Sequence, residues 1–236
     1  VALVTGRRLP SAREVADLVA PDLPLVLHNG ALVVEHGQVI RTRSLPTEVA
    51  LLALHLGTGH DALIHRGRAG EGQMLVEPRL REGTLMGRYL GRAEGVIEVS
   101  DLAAAVDQDT IQVMFGGDLQ SMLDLEPGLR AGLSDRARLE RTLYPRQGVG
   151  ILDVLEASVS KGDALGFLCE RFGIAREHSL ALGDNWNDRE MLERAGLGLL
   201  MGNAEPGLLG CGLPLAPSND EDGVAWAVEK YVLGAF

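Results

Sequence analysis

Leu180-Ala181-Leu182-Gly183-Asp184-Asn185-Trp186-Asn187-Asp188-Arg189-Glu190-Met191 decides how this chain is read. A short apolar run closes in Gly-Asp, and an Asn-Asp pair follows where a helix should begin. In a strand-to-helix turn, Asp184 and Asp188 can both face the carboxyl edge of a parallel sheet, where open α/β folds bind ligands. Such oxygen donors suit Mg²⁺, which takes one or two protein carboxylates and completes its shell with water and phosphate oxygens. Asp184 is the expected metal ligand. Asn187 and Asp188 would hold the metal, its water shell or a phosphate oxygen. A Gly-Asp turn followed by an N-capping Asn or Asp leaves the same letters.

Outward from this turn, helix and strand alternate. Ser160-Lys161-Gly162-Asp163 leads into an amphipathic helix whose Ala164, Leu165, Leu168, Cys169 and Phe172 share a face. A strand over Ser179–Leu182, a helix through Ala195, a strand at Leu197–Met201 and a helix from about Asp222 to Leu233 complete this half. At the other end, a strand Val1–Val4 runs into Thr5-Gly6-Arg7. A helix over Ser11–Val19 follows, with Ser11 as cap and Glu14 at the capping-box spacing. Leu25–Leu27 reads as a strand, Asn29-Gly30 as a turn, and Ala31–Val34 with Val39–Ile40 as a hairpin.

Between about Gly37 and Ala157 the texture changes. A helix at Pro46–Leu56 is followed by strands at Ala62–His65, Met74–Glu77, Ile111–Phe115 and Val149–Val154. Helical patterns at Leu119–Leu125 and near Ala137–Thr142 sit among them, with no βαβ alternation. Arg66–Gly72 is glycine-rich and reads as a surface loop, and His60 and His65 as surface residues. We therefore expect an α/β protein. Residues 1–36 and 158–236 form a Rossmann-like parallel sheet core, and residues 37–157 an inserted α+β domain.

Composition narrows the function. A net charge of −11 argues against nucleic acid or an anionic membrane as partner, but not against a phosphorylated small molecule beside a bound cation. No apolar run reaches a membrane span. The two cysteines, Cys169 and Cys211, form no CxxC pair, which fits a reducing cytoplasm. Lys161 sits at a helix start, where a cation opposes the macrodipole, so a compensating anion is expected: phosphate, or Asp184 close by. Thr5-Gly6-Arg7 offers a hydroxyl and free N–H groups that can grip a phosphate oxygen, though three residues alone read more simply as an ordinary turn.

Taken together, these segments resemble the haloacid dehalogenase superfamily, and within it the Cof-type phosphatases with the subclass IIB α/β cap. Val4-Thr5-Gly6-Arg7, Asn29-Gly30-Ala31, Ser160-Lys161-Gly162-Asp163-Ala164-Leu165, Gly183 to Asp188 with Met191, Met201-Gly202-Asn203-Ala204, and Ser218 to Ala225 match its motifs in order and spacing. The resemblance implies a Mg²⁺-dependent phosphatase acting on a small, sugar-phosphate-like metabolite, with 37–157 as the cap. In that chemistry an aspartate attacks phosphorus to form an aspartyl-phosphate, and a second aspartate serves as general acid and base. Thr5 and Lys161 are then the catalytic residues within this chain. Thr5, Gly6, Arg7, Asn29, Lys161 and Asn187 contact phosphate, and Asp184 and Asp188 hold the metal.

Both reacting aspartates belong to the family's D-x-D-G-T motif, expected a few dozen residues before Thr5, and these 236 residues do not contain it. The expectation is accordingly an N-terminally truncated phosphatase with little or no turnover by itself. Its rivals are a non-catalytic metabolite-binding protein and a sugar phosphomutase on the same core.

Overall fold

The computed structural model describes residues 1–67, 72–81, 85–90 and 93–234, so part of the expected glycine-rich loop lies outside the described residues. The chain forms two compact units, Val1–Val159 and Ser160–Phe236. The first holds both the opening segment and the region expected as an insertion.

In the first unit, β1 (Leu3–Val4) and β2 (Leu25–Leu27) lie parallel, joined by α1 (Leu9–Val19). The helix starts two residues earlier than expected. Arg8 is its N-cap, without a side-chain cap bond, and Pro10 stands in the first turn, where its missing N–H is no loss. Ser11 therefore lies inside the helix, its hydroxyl donating to the Arg8 carbonyl at 3.2 Å. Ala12 and Ala16 press this helix on Leu25, Leu27, Leu32 and Val34. The sheet ends in the antiparallel hairpin of β3 (Leu32–Glu35) and β4 (Gln38–Thr42). His36 and Gly37 both have positive φ at its tip, as the tightest hairpin turns require.

A second sheet contains β5 (Ala62–Arg66), β6 (Met74–Val76), β7 (Val96–Glu98), β8 (Thr110–Asp118), β9 (Ala137–Tyr144) and β10 (Val149–Glu156). Their order is β7-β6-β5-β8-β10-β9, antiparallel except for the β6–β7 pair. Alternate residues of each strand face opposite sides. Ile64, Val113, Phe115, Leu152 and Val154 pack on α2 (Thr47–Leu56) and α5 (Leu119–Leu133) through Val49, Ala53, Leu125 and Leu129. Leu63, Met74, Val76 and Met114 face the other way, onto Met86 and Leu90 of α3 (Leu85–Leu90). A short α4 (Leu102–Ala105) is capped by the Asp101 carboxylate.

The helix expected near Ala137–Thr142 is strand β9, in register with β10 along its whole length. Polar and apolar residues alternate through Arg138-Leu139-Glu140, and pairing with a strongly apolar neighbour overrides the weak helical signal. His65 is not a surface residue: it is 2% exposed, opposite Gln112 on β8. Arg43 N–H to Ala31 O extends the β3–β4 hairpin, and Leu45 N–H to Thr110 O ties the first sheet to the second, both 2.8 Å. Ala31, Ile111, Leu155 and Val159 form the apolar seam beside these bonds.

The second unit is a βαβ arrangement. After α6 (Lys161–Phe172) come β11 (Leu180–Gly183), α7 (Arg189–Arg194) and β12 (Leu197–Leu200), with β11 and β12 parallel. Leu199, Met201 and Ala216 pack on Ala227 of α8 (Gly223–Tyr231). Among the described residues no helix is long and apolar enough to cross a membrane.

Candidate active site

The site in the second unit is organised by one carboxylate. Where β11 ends, Asp188 Oδ2 accepts the backbone N–H groups of Asp184 and Asn185, each at 3.0 Å. Asn185 reciprocates as N-cap, its side-chain oxygen accepting from Trp186 N–H at 2.8 Å. The expected alternative, a capped turn, is thus present, and it employs the same Asp188 carboxylate. Gly183 is required here because a Cβ would stand 2.4 Å from Asp188 Cβ.

The other oxygen of Asp188 holds Lys161. Nζ lies 2.5 Å from Oδ1, with both side chains 7% exposed. Lys161 is the first residue of α6, behind the N-cap Ser160, whose hydroxyl accepts from Asp163 N–H at 2.9 Å and donates to Glu190 at 2.8 Å. The anion that the macrodipole argument demanded is Asp188, in direct contact, rather than Asp184.

Asp184 is solvent-exposed at the carboxyl end of β11. Its carboxyl is raised above the ordinary range, first by partial desolvation and then by the Asp188 charge, with Lys161 acting in the opposite direction. Two carboxylates beside one ammonium leave an excess negative charge, and a cation would relieve it. Among the described residues no group of three or more His, Cys, Asp or Glu could hold a metal. Mg²⁺, content with one or two carboxylates and water, fits the residues present. Asn187 is buried beside them at 9% exposure.

In the first unit, Thr5 follows β1, its N–H bonded to Val26 O at 2.9 Å. Thr5 Oγ1 accepts from Arg7 N–H at 3.1 Å, which leaves its own O–H available to an acceptor. Gly6 and Arg7 are exposed. Asn29, expected as a phosphate contact, is 1% exposed and turns its amide inward, donating to Asp153 Oδ2 at 3.1 Å. The structure thus gathers Lys161, Asp184, Asn187 and Asp188 in one unit, and Thr5, Gly6, Arg7 and Asn29 in the other. Sequence reasoning missed Asp153 and Gln112. Their signal was a single polar residue inside each of the apolar runs Ile111–Phe115 and Val149–Val154.

The haloacid dehalogenase-like hydrolase family matches residues 1–228. The chain belongs to the haloacid dehalogenase-like hydrolases. It is 30% identical over 206 residues to the HMP-PP phosphatase of Enterobacter sp. (strain 638), an alignment spanning 87% of this chain and 72% of that protein. A haloacid dehalogenase-like hydrolase of Bacteroides thetaiotaomicron superposes with a TM-score of 0.77 at 22% identity, covering 97% of this chain and 85% of the other. The subclass IIB sugar phosphatase BT4131 superposes with a TM-score of 0.72 at 18% identity, covering 97% and 84%. These likenesses bear out the expected α/β core with a parallel sheet, and the family match bears out the haloacid dehalogenase resemblance. Membership of this haloacid dehalogenase-like family, with its phosphatase relatives, likewise bears out a phosphoric monoester hydrolase.

Proposed function

We propose that this chain serves a Mg²⁺-dependent phosphatase of small phosphorylated metabolites. One observation carries the reading: a buried ammonium, Lys161, held by Asp188, both acting electrostatically on the exposed carboxylate of Asp184. Asp184, with Asp188 behind it, would hold the cation, which when bound would draw charge from a phosphoryl oxygen. Lys161 would neutralise negative charge building up on the transferring group. Thr5 would donate its O–H to a phosphate oxygen, Gly6 would add its backbone N–H, and the exposed Arg7 its guanidinium. Asn187 would steady the phosphate or its water shell, and Asn29 would support the Thr5 turn from behind. Segment 37–157 is read as the cap, where substrate preference would reside. Free Cys169 and Cys211 fit a cytoplasmic setting.

The reacting aspartates of the family's D-x-D-G-T motif are not among these 236 residues. The test is p-nitrophenyl phosphate hydrolysis with Mg²⁺ by this chain and by a version extended with the in-frame residues encoded upstream. Little turnover by the first and robust turnover by the second is the expected result. Robust activity from the 236 residues alone would show that the nucleophile has been misplaced. Inactivity of both, with phosphate still bound, would favour a binding protein. Isomerised product without released phosphate would indicate a phosphomutase.

A further inference from the structure

The first unit contains a chain of buried polar groups that ends at Asn29, behind the Thr5–Arg7 turn. Asp153 on β10 accepts from Gln112 Nε2 at 2.6 Å through Oδ1 and from Asn29 Nδ2 at 3.1 Å through Oδ2. The Gln112 oxygen lies 2.7 Å from His28 Nδ1. Because the Gln112 amide nitrogen is committed to Asp153, its oxygen accepts, so His28 carries its proton on Nδ1. Burial holds His28 down at about 4 and therefore neutral. Asp153, Gln112, His28 and Asn29 are between 1% and 5% exposed.

One end of this chain is a backbone that needs holding. His28, Asn29 and Gly30 have φ of 49°, 57° and 113°. Left-handed conformations at non-glycine residues cost on the order of 1 kcal/mol or more each, and persist only where surroundings impose them. The backbone share comes from His28 N–H to Arg7 O and Asn29 N–H to Thr5 O, both 3.1 Å. The side-chain share comes from Asp153 and Gln112. A Cβ on Gly6 would lie 2.9 Å from Asn29 Oδ1, so the Thr5–Arg7 turn rests directly on the Asn29 amide.

We propose that Asp153 is a positioning residue: directly through Asn29, and through Gln112 and His28, it fixes the His28–Gly30 turn and with it the Thr5–Arg7 loop. Its functional meaning rests on the phosphate reading above; the mechanical coupling does not. A carboxylate suits position 153 because it must accept N–H groups from two different amides, and an ionised carboxylate is purely an acceptor. Protonation turns one oxygen into a donor facing an NH₂ group, and one of the two bonds is lost. The groups facing this cluster are Glu140 on β9, in register with Asp153 and paired with Arg138 at 2.6 Å, His65 on β5, and the buried guanidinium of Arg8 beside the two imidazoles. Burial and the Glu140 charge raise the Asp153 carboxyl to about 7.

Backbone amide NMR on the 236-residue chain tests this. In the wild type the amides of Thr5, Gly6 and Arg7 and the side-chain amide of Asn29 should titrate together, with a midpoint near 7. Asp153→Asn should abolish that titration. Glu140→Gln removes a like charge and should lower the midpoint without abolishing it, a response that a merely space-filling Asp153 would not give. Asp153→Ala should displace the same resonances and weaken inorganic phosphate binding in Mg²⁺ by about tenfold or more, as loss of hydrogen bonds to a charged group implies. Thr5–Arg7 resonances indifferent both to pH and to Asp153→Asn would overturn the proposal. A wild type that shows the titration yet binds no phosphate would refute the phosphatase reading and uphold the coupling.

Discussion

Replacing Lys161 by Met should cost this protein several kcal/mol of stability, and the cost should nearly vanish if Asp188 is changed with it. At 2.5 Å, with an effective dielectric constant of about 20, the attraction between Nζ and Oδ1 is about 7 kcal/mol. Desolvating each ion costs several kcal/mol, so the intact pair is worth little net. Removing one partner is different, because a carboxylate 7% exposed then faces an apolar side chain. The expected cost is about 3–5 kcal/mol, a large share of the stability of an ordinary domain. In Lys161→Met/Asp188→Asn the amide oxygen can still accept from Asp184 and Asn185, so the turn survives and no charge is stranded. The double-mutant coupling should then be at least as large as that single cost, about 3–5 kcal/mol or more. Urea unfolding followed by tryptophan fluorescence is the assay, since both tryptophans, Trp186 and Trp226, lie in the Ser160–Phe236 unit. Single costs below about 1 kcal/mol that simply add would mean that the pair behaves like a surface salt bridge, and the enclosed-ammonium reasoning would fail.

Asp153→Asn should flatten the pH dependence of stability. A carboxyl raised from 3.8 to about 7 contributes stability that is complete below about pH 4 and lost as pH rises through 7. At about 1.4 kcal/mol per pH unit, that amounts to about 4 kcal/mol. Urea midpoints read by far-ultraviolet circular dichroism at pH 5 and pH 8 should therefore fall in the wild type by more than in the variant; equal falls would refute the assignment. Asp184→Asn should remove stabilisation by Mg²⁺, which in the wild type reaches about 2.7 kcal/mol at one hundred times the dissociation constant. Because the Asp184 carboxyl is raised, protons should displace the cation at higher pH than for an ordinary aspartate. Thermal melts with and without Mg²⁺ at pH 5 and pH 7.5 check both statements, and equal stabilisation of the variant would refute them.

Much of the second unit could be read directly from the residues. Leu180–Gly183 forms its strand because four small and apolar residues precede a turn whose Gly, Asp and Asn each have a stereochemical reason to be there. The helix after Ser160 was legible for the same reason: cap, first turn and the buried Ala164, Leu168 and Cys169 agree, while Phe172, expected on the same face, is 44% exposed. Ala137–Thr142 was misread because six residues with only Ala137 and Leu139 apolar carry too little periodicity to separate helix from strand, and only the neighbouring β10 breaks the tie. Ser11 misled because a serine before an apolar run imitates a cap, whereas Pro10 had already set the start of the helix. The network around Asp153 was invisible for a deeper reason. His28, Gln112 and Asp153 are separated by 84 and 41 positions, and no local pattern records a contact made by folding.

The double use of Asp188 has an evolutionary consequence. One carboxylate closes a turn with one oxygen and holds a lysine from another helix with the other, so its length acts as a ruler. Glutamate would carry the same charge about 1.5 Å farther out, past the two amides it must reach. Position 188 therefore cannot drift even to its nearest chemical neighbour without position 161 changing in step. A saturation library at 188 should recover little but aspartate until the lysine is released.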